Sequence, residues 1–305
     1  MTEPRIMVVG SYATGLTMKV DRLPCSGETL LGSGYRVDHG GKGSNQAVGC
    51  ARLGARVSFV AKIGKDAFGD SALKLYREEG VNTEHVIQTG ATATGVGFII
   101  VEAASGHNCI TIDPGANELL SAAEVAKVDF SGCKVVLTQL EIPVAAAEAA
   151  MARGREHSAV TILNPAPVRP LPTEVLKLVD VLTPNETEAK VLAGERPDCS
   201  LSPEEVAKRL INLGVKNVVM TLGERGALMV TGESVVQIAA IRVKAVDTTG
   251  AGDAFNAGLA VSLGSGASLE EAVRFAVIAG GLAVTKEGVI PSLPRREEVA
   301  SYARE

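Results

Sequence analysis

The run Val246-Asp247-Thr248-Thr249-Gly250-Ala251-Gly252-Asp253-Ala254-Phe255-Asn256-Ala257-Gly258 decides how the chain is read. Ile241 to Val246, before it, predicts a strand. Ala254 to Leu263, after it, predicts a helix. The glycine-rich turn between them leaves backbone N–H groups unpaired at a helix N-terminus. The partial positive charge there favours an anion, phosphate above all. Asp253 stands at the mouth of that site. A carboxylate is a poor ligand for phosphate but a fitting base for a hydroxyl about to attack it. Taken alone, the stretch is equally a tight turn with Asp253 as N-cap of the next helix.

Composition narrows the field. With 305 residues, 46% hydrophobic and 21% charged, the chain can bury a sizeable core. Aromatic residues make up 3% and Trp is absent, which is thin for stacking on nucleic-acid bases. A net charge of −5 also argues against a polyanionic partner. The five cysteines are scattered without a CxxC pair, and the four histidines form no HExxH pattern. These features predict reduced thiols, a cytoplasmic protein and no transition-metal site. Met1 to Pro4 run directly into a strand without a signal-peptide core, and no apolar run reaches membrane-spanning length.

Ile6 to Val9 predicts a buried parallel strand. From Val135 onward, short strands and helices alternate regularly, which predicts a parallel sheet covered on both faces. Two segments break that rhythm, residues 12–40 and 93–113. They are expected to form a small separate sheet of antiparallel strands, a lid over a ligand and a surface for a homodimer. Ligands of open parallel sheets bind beyond the carboxyl ends of the strands. The groups there are Ser11 to Gly15, Gln139 to Glu141, Asn164, Thr183 to Glu188, Thr221 to Gly226 and Asp247 to Asp253.

Several of these motifs have two readings. Asn185-Glu186-Thr187-Glu188 is close to a capping box, or else Asn185 and Glu188 serve Mg²⁺ through water. Gly40-Gly41-Lys42-Gly43-Ser44-Asn45 misses the Walker pattern. It is a helix start needing close backbone approach, or a floor of amides plus Asn45 for a polyhydroxylated ligand. Thr221-Leu222-Gly223-Glu224-Arg225-Gly226 is a turn or a set of donors. Asp247 and Thr249, with Gly288 and Ser292, could offer oxygens to a monovalent cation. Glu141 is a solvated strand-end residue, or it orients a hydroxyl.

In order and separation, these motifs, together with Asn164-Pro165-Ala166-Pro167, resemble the ribokinase family of carbohydrate kinases, the PfkB superfamily, over nearly the whole chain. The resemblance implies a Rossmann-like α/β fold: a parallel sheet sandwiched by helices, with a small β-sheet lid that also mediates dimerisation. It implies an ATP-dependent kinase acting on a primary hydroxyl of a small sugar. Asp253 would be the general base, with Gly250, Ala251 and Gly252 as the anion hole. Gly41, Lys42, Gly43, Ser44, Asn45 and Glu141 would face the sugar. Asn185, Thr221 to Gly226, Gly252 and Val277 would line the ATP site. Glu188 and Asn185 would serve Mg²⁺. Asp247, Thr249, Ala283, Lys286, Gly288 and Ser292 would surround K⁺. A nucleoside kinase of the same superfamily and a non-catalytic sugar-binding regulator are the rival readings.

One departure bears on the substrate. Ribose kinases of this family carry Asn and Asp shortly after the first strand, where Ala13 and Gly15 stand here. The missing carboxylate leaves sugar hydroxyls without a charged partner, a cost of roughly 1.5–3 kcal/mol. Tyr12, Thr14 or His39 could compensate. Gly15→Asp is expected to improve ribose use. The helix terminus is expected to lower the pKa of Asp253.

Overall fold

Among the described residues the chain forms thirteen strands and the helices between them: β1 (Arg5–Val9), β2 (Ala13–Val20), β3 (Ser33–Gly40), β4 (Arg56–Gly64), β5 (Val86–Thr89), β6 (Gly95–Glu102), β7 (Asn108–Asp113), β8 (Val135–Thr138), β9 (Val160–Leu163), β10 (Val181–Leu182), β11 (Asn217–Thr221), β12 (Ala227–Val230) and β13 (Val235–Ile238). The structure is a computed structural model that describes residues 3–303. Met1 and Thr2, at the head of the Met1–Pro4 segment, lie outside the described residues.

β1 shows why the architecture is layered. Ile6 and Val8 point into one core and Met7 and Val9 into the other. A strand apolar on both faces needs a cover on both. Helices Lys42–Arg52, Ala251–Gly264 and Leu269–Ala283 bury one face; Val144–Glu156 and Pro203–Asn212 bury the other. Among the described residues the main sheet has nine strands, ordered β13-β12-β11-β10-β9-β8-β1-β4-β5. Pairing is parallel from β11 to β5, and β12 and β13 add an antiparallel edge. This is the Rossmann-like α/β sandwich expected. No helix among the described residues is long and apolar enough to cross a membrane.

A second sheet, ordered β3-β2-β6-β7, stands apart from the first. It is mixed, not antiparallel throughout: β2 and β6 run parallel, with Gly15 opposite Gly97. Each enters this sheet directly from the core, one after β1 and the other after β5, so they share a direction.

The segment Ile241 to Val246 is a second correction. It forms no strand and pairs with none. Its alternation has another cause: Ile241, Val243 and Ala245 line a cleft, while Val246 is 62% exposed. A period of two records one wet side and one covered side, whether the cover is a sheet or a cavity wall.

Candidate active site

The helix after the glycine turn begins at Ala251, three residues earlier than expected. Its N-cap is Gly250, at φ 82°, a left-handed conformation that glycine adopts without strain. Asp253 is therefore the third residue of the helix and not its cap. Among the described residues the amides of Gly250, Gly252 and Asp253 meet no backbone acceptor, while that of Ala251 reaches the Thr248 carbonyl at 3.3 Å. A side chain at Gly252 would project into open space. The turn thus presents free N–H groups to a cavity, as an anion site requires.

Asp253 is 6% exposed. Asn45 Nδ2 donates to its Oδ2 at 2.8 Å and Gln46 Nε2 to its Oδ1 at 2.9 Å. Burial pushes its pKa above the ordinary value, against the opposing pull of Lys42, Gln46 and Asn45. The expected downward shift is not found, because desolvation outweighs the helix terminus and its donors. A base with a raised pKa is better matched to taking a proton.

Behind the carboxylate runs a buried amide chain. Gln46 Oε1 accepts from Gln139 Nε2 at 2.5 Å, and Gln46 Nε2 also donates to Asn164 Oδ1 at 3.1 Å. Asn164 Nδ2 reaches the Thr183 carbonyl at 3.1 Å; Thr183 Oγ1 donates to Asn256 Oδ1 at 2.6 Å. Asn256 Nδ2 closes on the Gly252 carbonyl at 2.8 Å. The Asp253 carboxylate and the glycine turn are held by one network.

Three cavities meet here. A cleft of about 470 Å³ is lined by Thr221, Gly223, Gly226, Ala251, Gly252 and Val277, among others. A polar cavity of about 140 Å³ follows, lined by Lys42, Asn185, Glu188, Thr221, Gly252 and Asp253. A third, of about 510 Å³, lies under the second sheet and includes Gly41, Lys42, Asn45, Glu141, Gly250 and Asp253. Thr221 and Gly252 border the first pair; Lys42, Gly250 and Asp253 border the second.

The sequence matches the model of the family described as pfkB family carbohydrate kinase over residues 3–296. The chain belongs to that family. It is 37% identical over 301 residues to a ribokinase of Haemophilus influenzae, covering 97% of each chain. It is 36% identical over 300 residues to a deoxyribokinase of Salmonella typhi, covering 97% of this chain and 98% of that one. It is similar to the solved structure of an Arabidopsis thaliana ribokinase complexed with ribose and ATP, with a TM-score of 0.90, 31% identity and full coverage of both chains.

In this carbohydrate kinase the sequence-predicted residues divide. Gly41, Lys42, Asn45, Glu141, Gly250 and Asp253 border the cleft under the second sheet, but Gly43 and Ser44 do not. A Cβ on Gly43 would meet Ser11 N at 2.4 Å, so that glycine permits close approach of helix to strand end. Ser44 is fully buried. Glu141 Oε2 accepts from Ser11 Oγ at 2.5 Å and from the Lys42 amide at 2.8 Å, so it anchors the loop. Leu222 packs into the core and Arg225 pairs with Glu186 at 2.7 Å; neither lines the cleft, whereas Glu224 does.

Asn185 and Glu188 form a reciprocal capping box: the Glu188 amide donates to Asn185 Oδ1 at 2.8 Å and the Asn185 amide to Glu188 Oε2 at 2.9 Å. Both also line the polar cavity. Burial raises the Glu188 pKa, against the Asn185 amide and Lys42. Asp247 ties two loops together, taking the Thr249 amide at 2.9 Å and the Gly288 amide at 3.1 Å. Lys286 turns its ammonium to Glu298 at 2.6 Å, Ser292 Oγ donates to the Val289 carbonyl at 2.8 Å, and Ala283 is buried. The three residues placed to compensate for Gly15 are engaged with one another. Tyr12 Oη meets Thr14 Oγ1 at 3.2 Å and His39 Nδ1 at 2.9 Å.

Proposed function

We propose that this carbohydrate kinase transfers the γ-phosphate of ATP to a primary hydroxyl of a small sugar, with Asp253 as general base. The observation that carries the reading is the position of Asp253 and Gly250, on the border shared by the polar cavity and the cleft under the second sheet. The sugar takes that cleft, its hydroxyl toward Asp253. The adenine end of ATP takes the apolar cleft beside Val277, and its phosphates cross Thr221 and Gly252 into the polar cavity. Asn45 and Gln46 fix the carboxylate, which accepts the hydroxyl proton as the oxygen attacks. The free amides of Gly250 and Gly252 and the ammonium of Lys42 face the charge that develops on the phosphoryl oxygens.

The residues present fit the two cations the family implies. Glu188 uses one carboxylate oxygen in the capping box and leaves Oε1 for a water on Mg²⁺, which takes few carboxylates and many waters. Mg²⁺ bound there neutralises phosphate charge. For K⁺, the carbonyls of Asp247, Thr249, Lys286 and Gly288 accept no hydrogen bond among the described residues. They supply oxygens close to the start of the catalytic helix.

The second sheet serves as a lid made of residues 12–40 and 93–113 within a single domain. Met18, Tyr35, Val37 and Phe98 are exposed, and a second copy of the chain is the partner that covers them in a homodimer. Free cysteines fit a cytoplasmic setting. The test is release of ADP by purified protein over pentoses, hexoses, ketoses and nucleosides. Turnover with a sugar, absent in Asp253→Asn, supports the reading; no sugar-dependent ADP, or full turnover by Asp253→Asn, ends it.

A further inference from the structure

The wall that the second sheet gives to the sugar cleft is short of polar side chains. It consists of Ala13, Gly15, Gly97, Ile99, Ile110 and Ile112, and the hydroxyl of its Thr14 is engaged by Tyr12. A carboxylate nevertheless belongs to that sheet. Asp38 on β3 lies directly opposite Gly15 on β2, and directly opposed residues of an antiparallel pair share a face. A Cβ built on Gly15 would sit 4.0 Å from Asp38 Cβ and 3.6 Å from Ile99 Cδ1. Ile99 lines the cleft, so Asp38 is on the cleft side of the sheet.

Nor is this carboxylate locked. Its side chain is 51% exposed, and its Oδ2 makes only a loose ion pair with Arg36 Nε at 3.6 Å, beyond hydrogen-bond distance; its carboxylate does not itself border the cleft as it stands. Arg36 instead donates Nη1 to Glu287 Oε1 at 2.7 Å. Gly15 puts no side chain between Asp38 and the cleft. An ionised carboxylate has two oxygens and about four acceptor directions, enough for two neighbouring hydroxyls.

The geometry points to Asp38 as a specificity-determining residue: its carboxylate, swung over the bare backbone of Gly15, accepts hydrogen bonds from adjacent hydroxyls of the acceptor sugar. The inference rests on the kinase reading of the Asp253 site and names the substrate class, a pentose carrying a vicinal diol. Ala13 and Gly15 then cease to be a plain loss. They are the space into which a carboxylate on the partner strand leans.

Steady-state kinetics with ribose and 2-deoxyribose test this. Asp38→Ala should raise KM for ribose about 10- to 100-fold, the value of a charged hydrogen bond, with kcat held and with a smaller change for 2-deoxyribose. Asp38→Asn, which keeps shape and an acceptor oxygen, should fall between. Adding Gly15→Asp to Asp38→Ala should restore most of the ribose KM, a rescue that a merely structural role for Asp38 would not give. An unchanged ribose KM in folded Asp38→Ala or Asp38→Asn overturns the inference. So does a rescue that fails, or a wild type that uses 2-deoxyribose as well as ribose. These results leave the kinase reading standing, since that reading falls only if wild type phosphorylates no sugar.

Discussion

The cleft under the second sheet has two unlike sides. Its floor, at the ends of the core strands, carries Lys42, Asn45, Glu141 and Asp253. Asn45, Glu141 and Asp253 are fixed there by hydrogen bonds to neighbouring elements. Its wall, on the second sheet, is mostly glycine, alanine and isoleucine, with Asp38 opposite Gly15 on the same face. The floor is built on helix and strand ends of the large core, where hydrogen bonds hold its side chains. The wall stands on a four-stranded sheet with apolar residues still exposed. The contrast suggests a division of labour to test: on the proposed reading, the reaction would belong to the hydrogen-bonded floor and the choice of sugar to the wall. Substitutions on the floor should lower kcat, and those on the wall should move KM for the sugar.

The largest effect is expected at the floor's centre. Asp253→Asn should lower kcat by about 10²–10⁴-fold, the usual share of a general base, with KM for ATP little changed. The same variant should not lose stability. Asn45 Oδ1 is buried without a partner, so the Asn45 amide can flip to receive the new NH₂. The sign of the pH effect follows from the raised pKa of Asp253, caused first by burial. The folded state holds that proton at pH values where the unfolded chain, near the ordinary value of about 3.9, has lost it. Wild type is therefore destabilised as pH rises from the unfolded value through the folded one, and the cost is fully present once the pH exceeds the folded value. The midpoint of thermal unfolding at neutral pH should rise, or at least hold, in Asp253→Asn, and the gap from wild type should narrow in acid. A fall in the midpoint would mean that the carboxylate is there for the fold and not for the chemistry.

Glu188→Gln should have an intermediate effect at the edge of the floor. The Gln carbonyl can still accept from the Asn185 amide, so the helix start survives while the charge is lost. The Mg²⁺ concentration for half-maximal rate should rise about tenfold, the scale for outer-sphere contacts to a metal. An unmoved Mg²⁺ titration would reduce Asn185 and Glu188 to a capping box and leave the role of Asp253 intact.

How much of this was legible in the sequence follows the same division. The floor was legible because its residues sit at the ends of short apolar strands, and the strand-end rule gathers them on one rim. Gln46 and Asn256 were missed, although each is a polar residue inside an otherwise buried helical stretch, which is the signal that could have found them. Gln139 and Asn164 fall on the rim, but the sequence gives them no part in holding Asp253. Partners 93 and 118 residues apart in sequence, as in the Gln139–Gln46 and Gln46–Asn164 bonds, leave no local trace. The wall was read as a deficit at Ala13 and Gly15. Cross-strand register, which sets Asp38 opposite Gly15, depends on a pairing that sequence period does not fix. The strand expected at Ile241–Val246 failed for a related reason: alternation reports a covered side without saying what covers it.

The smallest effect is also the one that best sharpens the contrast. Gly15→Asp in the wild-type background was expected to improve ribose use, on the argument that the cleft lacks a carboxylate. The Asp38 inference predicts the opposite. A side chain at 15 fits, since its nearest neighbours lie at 3.6 Å and beyond and the backbone needs no glycine there. Its charge, however, would stand directly opposite Asp38. Like charges so placed are destabilising, on the scale of about 0.2–1 kcal/mol for a cross-strand pair. Thermal unfolding should therefore shift slightly downward, less so at high salt, where the repulsion is screened. KM for ribose should stay flat, because one carboxylate already serves the hydroxyls and the second pushes it aside. A clear gain in ribose affinity from Gly15→Asp alone would show that the wall supplies no carboxylate, and that the floor carries selectivity as well as chemistry.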